Sequence, residues 1–384
     1  MVVQISLRFF TYPRRNFNGK ECIRLSAFSC QDTKMNLDEA QSLKQSILNE
    51  YYENVIRLEP LLRAESAPPI ERPERRIAVG LSGSKGKYRV EIRIQRARGA
   101  AQSLANELRL THRDKVHVAV IEKLEIAPIS SIVRLPPARP EAKAGSSAGR
   151  ARPLEIGLSV GHNEGPPGSI GAFVELAEGG DAILSNAHVL ANGAKIDDPI
   201  YQPGRETRNV TARDEIGYLA NYIPLRRKGA NTADAAVAML KDGIQHQRNR
   251  IPPPCGAPCS GKYLQGVSTA LDFNTGEILA KVGRATRYTE GNLSAASIDD
   301  ITVLYHGMGN LRFDNVVEIT WKDVETPFTQ PGDSGSVIFA PSNMEAIGLH
   351  FAGGVLTRDG VKVGVSYACD LKTVLDSLDA TLIY

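Results

Sequence analysis

Ser334, His188 and Asp234 are the residues of this 384-residue chain whose types could together carry out acyl transfer. Ser334 lies in TQPGDSGSVIF (329–339), His188 in ILSNAHVLAN, and Asp234 opens the apolar run of NTADAAVAML. A serine hydroxyl is a weak nucleophile until a base takes its proton, and an imidazole titrates close enough to neutrality to be that base. A carboxylate can then fix the imidazole tautomer and stabilise the cation that forms. Each residue alone has an ordinary reading: a turn for Ser334, a structural role for His188, a cap or turn for Asp234. A free carboxylate at the head of an apolar run is costly, which favours a partner for Asp234.

The glycines fit the same chemistry. Gly332 and Gly335 let the backbone turn sharply, so the N–H groups of Gly332 and Ser334 can converge on a developing oxyanion. The residues expected to carry the reaction are therefore His188, Asp234 and Ser334, with Gly332 and Ser334 as the oxyanion hole.

The elements that must position them follow from pattern. From about Leu154 the chain reads as short strands separated by Gly, Asn and Asp: SIGAFVEL, DAILSNAHVL, EIGYLANYI, DAAVAML, ILAKVGRAT, ITVLY, VVEIT, GSVIFA, EAIGLHFAGG and VGVSYACDL. So many short strands predict an all-β sandwich or a pair of barrels, with DLKTVLDSLDATLIY as a closing helix. Upstream, RIAVGL and YRVEIRIQ around the turn SGSKGK, then AAQSLANELR and KVHVAVIEKLEI, predict a β-β-α-β unit over 71–133. The turn is no phosphate loop, because Lys87 is followed by Tyr88 and a strand rather than by Ser/Thr and a helix. An amphipathic helix is expected over 36–59. Asn36 and Glu39 form a capping-box-like start, and Leu37, Ala40, Leu43, Ile47, Tyr51, Val55 and Leu58 recur at helical spacing up to Pro60. Residues 1–70 thus form an N-terminal segment. Residues 134–153 (RLPPARPEAKAGSSAGRARP) read as a linker, whose arginines would make it easy to nick.

Composition narrows the class. An apolar fraction of 42% with 23% charged residues is ordinary for a soluble globular protein. No run approaches the ~18 apolar residues of a membrane span, and the start MVVQISLRFFTYPRRNF does not read as a secretory signal. The five cysteines (Cys22, Cys30, Cys255, Cys259, Cys369) are odd in number and scattered, which suits a reducing, cytoplasmic setting. Cys255 and Cys259 lack a second ligand pair, so a loop is expected there rather than a metal site, and no cofactor is implied. Residues 1–153 hold 27 Lys+Arg against 16 Asp+Glu, and the remainder 19 against 27. Such asymmetry suggests either that the basic part packs on the acidic part or that a protein activator or client docks on it. Nucleic acid is disfavoured, because the basic residues are dispersed and no aromatic stacking motif accompanies them.

SNAHVL, DAAVA and GDSGS resemble, in order, the His, Asp and Ser motifs of the trypsin-like (chymotrypsin-fold) serine peptidases. Asp234 lies 46 residues after His188, and Ser334 lies 100 after Asp234, within that family's habit. KVGRATRYTEGNL (281–293) and the Ser motif look closest to the trypsin-like peptidases of bacteria and the plant narrow-leaf proteins. The resemblance covers roughly residues 154–375. It implies a double β-barrel within 154–384, with His188 and Asp234 on the first barrel, Ser334 on the second, and a protein or peptide substrate in the cleft between them. Val189 stands where secreted members carry a Cys, so their usual disulfide is absent. Thr329 and His350 resemble the pocket residues of glutamate-specific bacterial peptidases and of viral proteases that cut after Gln. An imidazole N–H and a hydroxyl there could both donate to a Glu or Gln side chain. Phe328 occupies the position where a trypsin-type pocket needs a carboxylate, which argues against basic specificity. The alternative from another class is a peptidase-derived module that binds peptides without cutting them.

Overall fold

Asn36 and Glu39 begin the first helix by capping each other: Asn36 N–H donates to Glu39 Oε2 and Glu39 N–H to Asn36 Oδ1, both at 2.9 Å. That helix, α1 (Leu37–Leu62), buries Ala40, Ile47, Leu48 and Tyr51. The computed structural model describes residues 35–62, 77–95, 100–122, 124–126, 149–205, 210–252, 259–322, 326–358 and 360–384. The strands expected within 1–30, the connector at 65–76, most of the 134–153 linker, and Cys22, Cys30 and Cys255 lie outside these residues.

After α1 come β1 (Ile77–Ser84), β2 (Lys87–Gln95), α2 (Ala100–His112) and β3 (Val116–Ile121). β4 (Ser159–His162), β5 (Gly168–Ser169), β6 (Ala172–Leu176) and β7 (Asp181–Ser185) lead into the short α3 (Ala187–Leu190). β8 (Pro199–Tyr201), β9 (Glu215–Tyr222), β10 (Ala230–Asn231) and β11 (Ala236–Leu240) follow. The later strands are β12 (Gly266–Val267), β13 (Ile278–Gly283), β14 (Arg287–Asp299), β15 (Ile301–Tyr305), β16 (Gly309–Phe313), β17 (Val316–Trp321), β18 (Val337–Ala340), β19 (Glu345–Arg358) and β20 (Val361–Asp370). The chain closes with α4 (Leu371–Ser377) and β21 (Ala380–Leu382).

The fold is mostly β, with two large barrel-like sheets. The first has eight strands in the order β21-β6-β7-β11-β9-β8-β4-β5. In the second, β13, β14, β17, β20, β19 and β18 pair in a ring, each with the next. A separate small sheet has the order β10-β16-β15. One continuous apolar core includes Phe173, Leu184 and Val237 from the first sheet and Phe339, Phe351 and Tyr367 from the second.

The β-β-α-β unit extends the second sheet at two places. β1 pairs antiparallel with β14 (Val79↔Asp299, Leu81↔Ala296), and β3 with β19 (Leu356↔Ile121, Thr357↔Val120). Alternation in β2 divides its side chains. Val90, Ile92 and Ile94 pack with the α1 stripe, while Glu91 and Arg93 belong to the other face. That polar face is not in water: Glu91 is 2% exposed and Arg93 0%. Among the described residues no helix is long and apolar enough to cross a membrane, and none form a group of three or more His, Cys, Asp or Glu placed to hold a metal.

Candidate active site

β7 and β11 run antiparallel, with Ala236 opposite Ser185, so the residues just beyond the start of one and the end of the other become neighbours. These are Asp234 and His188. His188 Nδ1 lies 2.5 Å from Asp234 Oδ2, and the His188 amide donates to Asp234 Oδ1 at 3.1 Å. Tyr305 donates its hydroxyl to the same Oδ2 at 2.6 Å, and Asn186 Nδ2 donates to the Asp234 carbonyl at 2.7 Å. Cys369 Sγ accepts from the Asp234 amide at 3.3 Å. Burial alone would push the Asp234 carboxyl up, but His188 and the donated hydrogen bonds outweigh it and hold the group below the usual range. An ionised carboxylate only accepts, so Nδ1 carries the proton and Nε2 of the neutral ring keeps its lone pair. That is the tautomer a general base requires.

Ser334 follows β17 in a turn clamped against the first sheet. Its carbonyl accepts from Ser169 N–H at 2.8 Å, and Ser169 Oγ donates to the Gly332 carbonyl at 2.8 Å. A methyl added at Gly168 would lie 2.5 Å from Val189 Cγ2 and 2.7 Å from the Ser334 carbonyl, so the glycine separates the helix of His188 from the turn of Ser334. Gly335 (φ +87°) is equally tight, since a Cβ there would lie 2.1 Å from Ser185 Oγ. His188 and Ser334 each retain 7% exposure while Asp234 has none. Within the turn, Asp333 N–H donates to Gln330 O and Gly335 N–H to His350 O. The amides of Gly332 (φ +99°) and Ser334 meet no acceptor among the described residues.

Asp333, between those two amides, is fully buried. Its carboxylate accepts from Ala285 N–H (2.9 Å), Thr286 N–H (3.1 Å), Gln330 N–H (2.9 Å) and the Thr286 hydroxyl (2.7 Å). Lys281 Nζ, also fully buried, lies 3.2 Å from Asp333 Oδ2 and bonds Thr286 Oγ1 and Arg287 O. Burial works against both charges. Even so, the Lys281 ammonium and the convergent donors hold the Asp333 carboxyl below its usual range.

Thr329 and His350 meet neighbouring residues of β20. Thr329 Oγ1 is 2.6 Å from Ser366 Oγ, which also accepts from Trp321 Nε1 at 3.2 Å. His350 Nδ1 donates to the Tyr367 carbonyl at 3.1 Å. The backbone of His350 bonds Gly335 and Ser336, so it stands directly behind the Ser334 turn. A carbonyl can only accept, so the Nδ1 proton is already used, and the neutral ring offers Nε2 as an acceptor rather than a donor. Burial first of all lowers the His350 value, to about 4; Lys281 and His188 act the same way, and Asp333 and the Tyr367 carbonyl oppose them. Phe328 is fully buried and contributes no charge.

Sequence reasoning missed Tyr305, Lys281 and Asp333. Asp333 adjoins Ser334 and Lys281 opens KVGRATRYTEGNL, yet nothing local pairs them. Tyr305 closes a small strand 71 residues from Asp234 and carries no local signal.

No protein-family model matches the sequence, and no curated protein matches it. Among solved structures, the chain is similar to a Nocardiopsis protease at 17% identity and TM-score 0.40, over 60% of this chain and 99% of that one. It is similar to Thermobifida fusca protease A at 14% identity and TM-score 0.40, over 60% and 98% of the two chains. A glutamic acid-specific serine protease described as using a histidine triad in substrate binding is similar at 18% identity and TM-score 0.40, over 60% of this chain and all of its own (100%).

Proposed function

We propose that this protein is a serine endopeptidase. Ser334 attacks the peptide carbonyl, His188 takes and returns the proton, Asp234 orients His188, and the Gly332 and Ser334 amides hold the oxyanion. The observation that carries this reading is the ionised Asp234 fixing the His188 tautomer, with the Ser334 turn clamped to the strands around that histidine. The nearer likeness, on KVGRATRYTEGNL and the Ser turn, is to the trypsin-like peptidases of bacteria and the plant narrow-leaf proteins. That stretch supplies Lys281, which braces the turn from below. The free, buried thiol of Cys369 suits a reducing, cytoplasmic setting.

Thr329 and His350 form the pocket for the residue before the scissile bond. With Nδ1 committed to Tyr367, a neutral His350 accepts from the amide N–H of a Gln side chain; a Glu carboxylate needs the ring protonated. Gln is therefore favoured near neutral pH, and Glu gains as pH falls. The groups that bear on that titration are Asp333, Lys281 and His188.

Fluorophosphonate labelling of the purified chain, followed by cleavage of a peptide library, tests the reading. Labelling of Ser334, lost in Ser334→Ala along with cleavage, is the expected result. An unlabelled, correctly folded protein that still binds peptides would make it a non-cleaving module.

A further inference from the structure

Arg93 reaches out of the N-terminal strands into the second barrel-like sheet and ends two links from His350. Its guanidinium meets Glu318 on β17 twice, Nε to Oε2 and Nη2 to Oε1, both at 2.8 Å, and Nη1 donates to Glu91 at 2.7 Å. Glu318 also accepts from the Tyr367 hydroxyl at 2.6 Å and the Ser294 hydroxyl at 2.8 Å. Tyr367 is the residue whose carbonyl takes the His350 Nδ1 proton. Arg93 and Glu318 are both 0% exposed.

Two features separate this arrangement from plain cohesion. A buried ion pair adds little net stability, because packed apolar side chains of similar volume would hold the same space at least as well. A two-pronged Arg–carboxylate contact does, however, restrict the orientation of both groups. It pins Glu318, which pins the far end of Tyr367, whose backbone fixes the His350 ring. The strand carrying Arg93 is itself held in place, since its neighbours β1 and β3 are hydrogen-bonded into β14 and β19.

We propose that Arg93 is a positioning residue for the substrate pocket: through Glu318 and Tyr367 it sets the orientation of His350, and the N-terminal strands become a working part of the substrate-reading site. The inference rests on the pocket reading given above.

The test uses the full chain with Arg93→Met, Arg93→Lys and Tyr367→Phe. Two quantities are read: the fluorophosphonate labelling rate of Ser334, and the ratio of kcat/KM for matched peptides with Gln or Leu before the scissile bond. In Arg93→Met, Ser334 labelling persists while the Gln-over-Leu ratio falls roughly tenfold, in the range of coupling through packed networks. Arg93→Lys, which keeps the charge but not the fork, restores part of the ratio. Tyr367→Phe leaves the Arg93–Glu318 pair intact and lowers the ratio in the same direction; it decides the matter if Arg93→Met does not fold. An unchanged ratio in the folded variants, even with a lower melting temperature, would reduce Arg93 to a structural residue and overturn the proposal. A wild-type chain that labels but shows no Gln preference overturns the pocket and this inference while leaving the peptidase reading intact. One that neither labels nor cleaves overturns all three.

Discussion

Replacing Lys281 by Met removes the ammonium 3.2 Å from Asp333 and leaves a carboxylate with no exposure beneath the Ser334 turn. Breaking a buried pair from one side costs about 3–5 kcal/mol. Here the backbone amides of Gln330, Ala285 and Thr286 and the Thr286 hydroxyl remain as donors, which places the loss near the low end, about 3 kcal/mol, or roughly a hundredfold in the unfolding equilibrium. The pH dependence has a definite sign. In the wild type the folded value of Asp333 lies below its ordinary 3.8, so its contribution is present above that pH and is lost as pH falls through the folded value. Without Lys281 the largest influence opposing burial is gone and the folded value rises, so the lost stabilisation is felt in full only where the carboxylate is ionised. The deficit of Lys281→Met is therefore larger at pH 8 than at pH 4. Urea unfolding of wild type and variant at both pH values measures it. Fluorophosphonate labelling should slow as well, since Asp333 separates the two proposed oxyanion amides. A variant within about 1 kcal/mol of wild type at pH 8, or a deficit that grows on acidification, would refute the reasoning.

Tyr305→Phe removes one hydrogen bond to the Asp234 carboxylate; such bonds to charged groups contribute about 1.5–3 kcal/mol, so Ser334 labelling should slow about tenfold or more, with an unchanged rate counting against the role. His350 favours its neutral form when folded, so stability is lost as pH falls from its ordinary 6.5 to about 4, by up to about 3 kcal/mol, and levels off below. Comparing the pH dependence of unfolding with that of His350→Gln isolates this share. Gly168→Ala should force Val189 and the Ser334 carbonyl apart and abolish labelling; a crystal structure superposable on the present one with full activity would contradict it.

The candidate site was legible because the acyl transfer proposed for it demands particular residue types in short, recognisable settings. A glycine-flanked Ser, a His after an apolar strand and an Asp before one needed no tertiary information to be picked out. The capping box at Asn36 and Glu39 and the β-β-α-β pattern were legible for a similar reason, since caps and alternation are local properties of the backbone. The expectation for β2 was less complete. Its alternation marks two unlike faces but cannot say that the polar one, with Glu91 and Arg93, will be covered. Likewise, the His350 side chain was expected to donate to substrate, whereas the β19–β20 register puts its Nδ1 on the Tyr367 carbonyl.

From residue types alone came the proposed nucleophile, base and carboxylate, the strand-rich half and the helix that precedes it. The tertiary structure alone decided which charges are paired. Lys281 finds Asp333, Tyr305 finds Asp234, and Arg93 finds Glu318 across 225 residues. The reason is that a buried charge is stable only beside its complement, and strand order and register determine which distant residue stands there.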